Sequence, residues 1–192
     1  MTDITIFGTG SMGSAIGELF SAGGHSVQHV DTETATPRIH GDIVVLAVPY
    51  SALASIAADY ERELAGRIVV DITNPVDFAT FDDLVVPADS SAAAELADAL
   101  PAARVVKAFN TTFAATLATG KVGEHRTTVL IAGDDADAKR ALTEAITAGG
   151  AVDVVDAGAL KRARELEALG FLQLTLAANE KVSWTGGFGV IA

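Results

Sequence analysis

Short runs of β-branched and aliphatic residues alternate with alanine-rich stretches along almost the whole 192-residue chain. The apolar runs cover residues 4–7, 26–30, 42–48, 67–72, 104–109, 127–132 and 151–155. This alternation is typical of a parallel sheet with helices on both faces. We therefore predict an α/β fold with a doubly wound, mostly parallel sheet. A chain of this length suits one hydrophobic core, so residues 1–192 are expected to form a single domain.

A glycine-rich turn follows the first apolar run and precedes a helical stretch. Its residues have the pattern G-x-G-x-x-G: Gly8, Thr9, Gly10, Ser11, Met12 and Gly13. In this setting Gly8 permits a tight turn, Gly10 lets the backbone approach a pyrophosphate, and Gly13 lets the helix pack on the strand. The helix N-terminus adds free N–H groups and the positive end of a dipole. The motif predicts a Rossmann-type dinucleotide site; a purely structural turn is the alternative.

Asp31 ends the second apolar run, where a carboxylate can accept hydrogen bonds from the adenosine ribose. A carboxylate at this place repels the 2′-phosphate of NADP, so Asp31 favours NAD. Residues 32–41 are too few for a crossover helix and an added strand. We expect a shortened region after the second strand and an open adenine end.

Three later turns should lie along the same edge, because ligands of open α/β sheets bind at the carboxyl ends of the strands. Their residues are Ala47, Val48 and Pro49, then Thr73, Asn74 and Pro75, and finally Asn110. Small apolar groups and amides suit a flat nicotinamide ring and its ribose. The alternative is that Asn, Thr and Pro simply terminate strands.

Taken together, these motifs resemble the NADP oxidoreductases dependent on coenzyme F420 and related small dinucleotide-binding reductases. The resemblance lies in residues 8–17 and 42–49, in the Asp-Ile-Thr-Asn-Pro block at 71–75, in the Lys-Ala-Phe-Asn-Thr block at 107–111, and in residues 162–167. It implies a reductase that binds reduced nicotinamide cofactor and passes hydride to a planar acceptor such as a flavin or deazaflavin. The resemblance also implies NADP, with His29, Thr32 or Arg38 holding its 2′-phosphate, whereas Asp31 favours NAD.

No catalytic residue can be assigned from the sequence. Tyr50 and Tyr60 lack a lysine four residues on, and Lys107 lies within a strand, where a structural ion pair is the preferred interpretation. The scarcity of proton donors favours transfer between cofactors, which supply the chemistry themselves. Two other hypotheses stay open: a dinucleotide sensor without catalysis, and a carbonyl or imine reductase whose site a dimer completes.

Composition excludes several classes of partner. The net charge is −12, and the 13 basic residues are scattered, so we expect no nucleic-acid binding. The chain has no cysteine, which is compatible with a reducing cytoplasm, and no apolar run approaches the roughly 20 residues of a membrane span. The four histidines lack metal-ligand spacing, so we expect no metal site. From these exclusions we expect a cytoplasmic protein that acts on a small molecule.

The C-terminal region, residues 157–192, is predicted to contain a long helix and a tail. After Glu165 the helical stretch is apolar on nearly every side, so it must be buried under the sheet or against another chain. We expect part of it to form a homodimer interface. The charged residues at 162–167, Glu167 among them, could form an ion network at an interface or ordinary helix pairs, and helix pairs are the preferred interpretation. The tail at 184–189 either covers the nicotinamide pocket of its own chain or of a partner, or packs on the domain. Residues 76–89 are predicted to be a long loop.

Overall fold

The computed structural model describes residues 1–31 and 38–191. In these residues the strands are β1 (Asp3–Phe7), β2 (Ser26–Val30), β3 (Ile43–Leu46), β4 (Ile68–Asp71), β5 (Arg104–Lys107), β6 (Lys121–Val122), β7 (His125–Arg126), β8 (Thr128–Gly133) and β9 (Asp153–Asp156). The α-helices are α1 (Ser11–Ala22), α2 (Leu53–Leu64), α3 (Ala92–Ala99), α4 (Ala114–Thr119), α5 (Ala136–Thr147) and α6 (Ala163–Ala178). Short 3₁₀ turns at Tyr50–Ala52 and Leu160–Arg162 precede α2 and α6.

The main sheet has seven strands in the order β2-β1-β3-β4-β5-β8-β9. The strands from β2 to β5 in this order pair in parallel, β8 is antiparallel to β5, and β9 is parallel to β8. The predicted α/β Rossmann-type fold with a mostly parallel sheet is confirmed. β3 pairs with β1 on the side away from β2. Within the described residues β2 is therefore an edge strand of the sheet.

Alternation along the strands builds a core on each face of the sheet. Ile43 and Val45 pack into a layer with α1 and α5, whereas Val44 and Leu46 pack into a layer with α2 and α3. All four side chains are buried. A strand covered on both faces reads as a continuous apolar run, which explains why period-2 alternation is absent from this segment of the sequence.

The C-terminal helix α6 packs one face against its own sheet and α3. Leu166, Glu167, Gly170, Gln173 and Ala177 are buried along it, whereas Leu172 is half exposed. Residues 76–89 contain no helix, as expected, and only an isolated bridge between Val76 and Leu84. The helix α4 and the β6–β7 hairpin lie in a stretch to which the sequence assigned no structure. No helix in the described residues is long and apolar enough to cross a membrane.

Candidate functional site

The glycine turn has the geometry that its sequence predicts. Gly8 has a φ of 109°, its N–H donates to Val30 O at 2.8 Å, and a Cβ there would lie 2.1 Å from Ala47 O. A Cβ at Gly13 would lie 2.4 Å from Gly8 O. Both glycines are therefore required by the fold itself, since any side chain would collide with backbone.

Gly10 differs from the other two glycines because nothing lies within 4 Å of where its Cβ would be. Its φ of −69° is also open to any residue. Neither packing nor backbone conformation therefore explains a glycine at this position. The space that a side chain would occupy opens onto a cleft, which is where a pyrophosphate would approach the backbone.

The N-terminus of α1 faces the same space. Gly10 is its N-cap residue and provides no side-chain hydrogen bond, and the first turn contains no acidic residue. Thr9, Gly10 and Ser11 are exposed, and Met12 is half-buried. Uncapped N–H groups and the helix dipole make this end of the helix suited to an anion.

The cleft has a volume of about 510 Å³, within the range of small-molecule sites. It is lined by Phe7, Gly8, Thr9, Gly10, Val30, Asp31, Ala47, Val48, Pro49, Ala52, Ser55, Ile56 and Tyr60. Glycine turn, Asp31 and the Ala47–Val48–Pro49 turn thus come together as the sequence predicts. Thr32 lies outside the described residues.

The other predicted residues, Thr73, Asn74, Pro75 and Asn110, lie at the same sheet edge but beneath α6. Asn110 Nδ2 donates to Asn74 Oδ1 at 2.9 Å, and Asn74 Nδ2 donates to Asn110 O at 2.8 Å. Asn110 Nδ2 also donates to Leu166 O of α6 at 2.8 Å. A Cβ at Gly170 would lie 2.4 Å from Asn74 Oδ1, so α6 contacts the amide pair closely. None of these four residues lines the glycine cleft.

A strained backbone at Phe109 directs the neighbouring Asn110 towards Asn74. Phe109 has a φ of 63°, a left-handed conformation that is rare for a bulky residue and typically costs about 1–3 kcal/mol. Its ring is fully buried and packs edge-on against Phe20 with centroids 6.3 Å apart. Burial of the ring therefore holds the turn that directs Asn110 towards α6.

Three buried charged side chains lie next to the amide pair. Lys107 Nζ is 2.8 Å from Asp71 Oδ2 and 2.8 Å from Glu167 Oε1, and it donates to Thr73 O at 2.5 Å. Glu167 Oε2 also accepts from the Ala92 N–H at the start of α3 at 3.0 Å. Burial raises the pKa of Glu167 above its usual range, although the Lys107 ammonium opposes this shift.

This cluster confirms the structural interpretation of Lys107 and corrects the interpretation of Glu167 as part of an ordinary surface helix pair. Arg162 and Glu165 do form an exposed pair of that kind, with Nη1 and Oε1 3.4 Å apart. The sequence contained a usable signal, since Asp71 and Lys107 interrupt neighbouring apolar strands and are register partners. The third member could not be found this way, because it comes from a distant helix.

Tyr50 follows Pro49 and is bound to α3 rather than directed at the glycine turn. Its hydroxyl donates to Glu95 Oε2 at 2.5 Å. This hydrogen bond, together with partial burial and the Glu95 charge, raises the pKa of Tyr50 to about 12. A phenol with so high a pKa is a poor proton donor near neutral pH. Sequence reasoning considered Tyr50 and Tyr60 only as acids and missed that Tyr60 lines the cleft.

The described residues contain no group of three or more His, Asp or Glu side chains that could hold a metal ion. His29 Nδ1 lies 3.3 Å from Gly8 O, beside the glycine turn, and Thr2 N donates to His25 Nδ1 at 3.2 Å.

The tail contacts the domain through Trp184, whose ring lies 5.1 Å from that of Phe113. In this structure the tail packs near α4 and not over the glycine cleft.

Comparison with known proteins agrees with this geometry. Residues 18–75 match the family model described as NADP oxidoreductase, coenzyme F420-dependent. The chain is 28% identical over 172 residues to the F420-dependent NADP reductase of Methanocaldococcus jannaschii, covering 88% of this chain and 77% of that protein. It is 38% identical over 127 residues to rat metalloreductase STEAP3, which is 66% of this chain but only 24% of the relative.

Among solved structures, a protein of Arthrobacter sp. FB24 provisionally named F420-dependent NADP reductase has a TM-score of 0.85 and 25% identity over the full length of both chains. A hypothetical protein of Sinorhizobium meliloti has a TM-score of 0.70 and 32% identity, covering 83% of this chain and 86% of that one. Sequence and fold thus agree over nearly the whole chain. The resemblance to the coenzyme F420-dependent NADP oxidoreductases that the sequence motifs predict is confirmed, and the protein is an NAD(P)-dependent oxidoreductase.

Proposed function

We propose that this protein binds a reduced nicotinamide dinucleotide across the glycine cleft and passes hydride to a planar acceptor such as a flavin or deazaflavin. The observation that carries the proposal is Gly10. It is a glycine without a packing or conformational reason, at an uncapped helix N-terminus that opens onto the cleft. A pyrophosphate bound to the backbone there explains both features.

We assign each part of the dinucleotide to a set of residues. Residues 8–13 hold the pyrophosphate, Asp31 with Thr32 holds the adenosine ribose, and Ala47, Val48 and Pro49 face the nicotinamide half. We place Thr73, Asn74, Pro75 and Asn110 at the nicotinamide end of the site. This placement is supported by Asn110 Oδ1 and Thr73 Oγ1, which are buried without a hydrogen-bond partner in the described residues. The carboxamide of nicotinamide carries N–H groups, which could donate hydrogen bonds to these two oxygens.

Hydride transfer between two cofactors requires the protein only to bind and orient them. The C–H bond at the nicotinamide breaks, both electrons pass with the hydrogen to the acceptor, and the nicotinamide is oxidised while the acceptor is reduced. Any further proton comes from water. The Tyr50 hydroxyl is bound to Glu95 of α3 rather than directed at the glycine turn, which supports an acceptor that needs no acid from this residue over a carbonyl or imine.

For the cofactor we propose a preference for NADH over NADPH. Asp31 is exposed in the cleft wall at the end of β2, where a carboxylate repels a 2′-phosphate. The relatives named above as NADP reductases point the other way. The experiment is a parallel titration with NADH and NADPH of the unmodified protein and of Asp31→Ser, with Asp3→Ser, at the opposite edge of the sheet, as the control.

Tighter binding of NADH, lost or reversed by Asp31→Ser alone, is the expected result. Tighter binding of NADPH by the unmodified protein would show that Asp31 does not set the preference. Absence of binding for both dinucleotides would remove the oxidoreductase proposal itself. Stoichiometric binding without turnover across a panel of flavin and deazaflavin acceptors would instead favour a dinucleotide sensor.

We also propose a homodimer that buries the outer face of α6 and the tail, within residues 157–192, in the cytoplasm. The supporting observation is the set of large apolar side chains exposed there: Leu172, Trp184, Phe188, Val190 and Ile191. Exposed apolar surface of this kind is typical of interaction sites. Activity that falls on dilution to monomer, with a pH profile showing a proton donor, would favour a carbonyl or imine reductase completed at the interface.

A further inference from the structure

The face of α2 that lines the cleft ends in an aromatic residue. Ala52, Ser55, Ile56 and Tyr60 lie on this wall, at a spacing that puts the helical residues on one side of α2. These residues form one wall of the cleft.

Tyr60 interrupts the regular helix. Its backbone, with φ −119° and ψ 15°, departs from helical values, although α2 continues to Leu64. The ring packs edge-on against Phe7, with centroids 5.1 Å apart and an interplanar angle of 70°. Phe7 is 5% exposed and directly precedes Gly8. The Tyr60 ring is therefore held by a buried residue of the glycine-turn strand while it remains half-buried in the cleft wall.

The proposed direction of the dinucleotide decides what this wall would meet. The pyrophosphate lies at the glycine turn, and the half towards Ala47 and Pro49 is the nicotinamide half. The other half runs past Asp31, where Val30, Ile56 and Tyr60 provide apolar surface. A purine base has two flat apolar faces, for which aromatic and aliphatic side chains are the usual partners.

Resting on the proposed function, we propose that Tyr60 is the binding surface for the adenine ring and that its aromatic face contributes affinity specifically for the adenosine half of the dinucleotide. Ile56 and Val30 complete the apolar surroundings of the base. Tyr60 acts in binding and takes no part in hydride transfer.

The test compares three ligands on three variants. NADH, ADP-ribose and reduced nicotinamide mononucleotide are titrated against the unmodified protein, Tyr60→Leu and Tyr60→Phe, with Glu61→Gln as a control at the next, exposed position of α2. Leucine keeps apolar contact with Phe7 but lacks the flat face, so the thermal unfolding midpoint shows whether the fold is retained. Phenylalanine keeps the face.

We expect Tyr60→Leu to weaken NADH and ADP-ribose about tenfold, because base–aromatic stacking is of that size. Tyr60→Phe and Glu61→Gln should stay within about twofold of the unmodified protein. The affinity for the mononucleotide, which lacks adenine, should not change. Equal loss for all three ligands, or no loss for ADP-ribose, would overturn the assignment of Tyr60. Absence of NADH binding by the unmodified protein would instead remove the proposed function on which it rests.

Discussion

Lys107 Nζ lies 2.8 Å from Glu167 Oε1, and both side chains are buried almost completely. This contact joins strand β5 to helix α6, and Asp71 on β4 completes it. Two carboxylates and one ammonium thus lie together in the interior. Their arrangement ties the C-terminal helix to the strand ends that carry Thr73 and Asn110.

Removal of the lysine should be strongly destabilising. Lys107→Met keeps an apolar chain of similar length but leaves Asp71 and Glu167 facing each other without a cation. Loss of one partner from a buried ion pair typically costs about 3–5 kcal/mol, and we expect a decrease of this size in the free energy of unfolding. Urea denaturation followed by circular dichroism measures it. The control is Lys121→Met at an exposed position, where a change below about 0.5 kcal/mol is expected. Equal free energies of unfolding for the two variants would show that the contacts of Lys107 with Asp71 and Glu167 do not stabilise the fold.

The fold could be predicted from the sequence because its signals are local. Each buried strand is a continuous apolar run, each helix between them is alanine-rich, and the glycine turn lies at a strand–helix junction. These features depend on neighbours in the chain, so they predicted β1 to β5 and the shortened region after β2. The helix α4 and the β6–β7 hairpin are short, six residues and two residues per strand, which leaves too few residues for a period to be recognised.

The site could be predicted only in part, for a physical reason. Gly8, Asp31 and Pro49 lie at strand ends, and parallel strands bring such ends together. The position of α6 over Asn74 and Asn110 depends on Gly170 and Glu167, which are far along the chain and pack through contacts that no local pattern records. The sequence suggested Tyr60 only as an acid, because its place in the cleft wall depends on contact with Phe7, 53 residues earlier in the chain.

The ionisation of Tyr50 provides a second prediction. Its hydrogen bond to Glu95 raises the pKa from the ordinary value of 10.0 to about 12, which means that the folded protein favours the neutral phenol. Stability from this group is complete below about pH 10 and is lost as the pH rises from there towards 12. Glu95→Gln removes the charge and should lower the pKa of Tyr50.

The measurement is an ultraviolet titration of phenolate formation in the Tyr60→Phe background, in which Tyr50 is the only tyrosine. Circular dichroism at each pH confirms that the protein remains folded. The midpoint should fall when Glu95→Gln is added, whereas Asp98→Asn, in the same helix and exposed, should leave it unchanged. Identical midpoints for all three proteins would mean that the Tyr50–Glu95 bond does not hold the proton.

The last prediction separates the two roles of glycine in the turn at residues 8–13. Gly13→Ala places a Cβ 2.4 Å from Gly8 O, so backbone must shift, and we expect a loss of about 1–3 kcal/mol in the free energy of unfolding. Gly10→Ala meets no atom within 4 Å and has an ordinary φ, so its stability should stay within about 1 kcal/mol of the unmodified protein.

The methyl group of Gly10→Ala nevertheless occupies the space where a pyrophosphate would approach the helix N-terminus. NADH should therefore bind at least about tenfold more weakly to Gly10→Ala, a difference of about 1.4 kcal/mol. Isothermal titration gives the affinity and thermal unfolding the stability. Full affinity in a stable Gly10→Ala protein would show that no pyrophosphate contacts this backbone, and the dinucleotide would have to bind elsewhere.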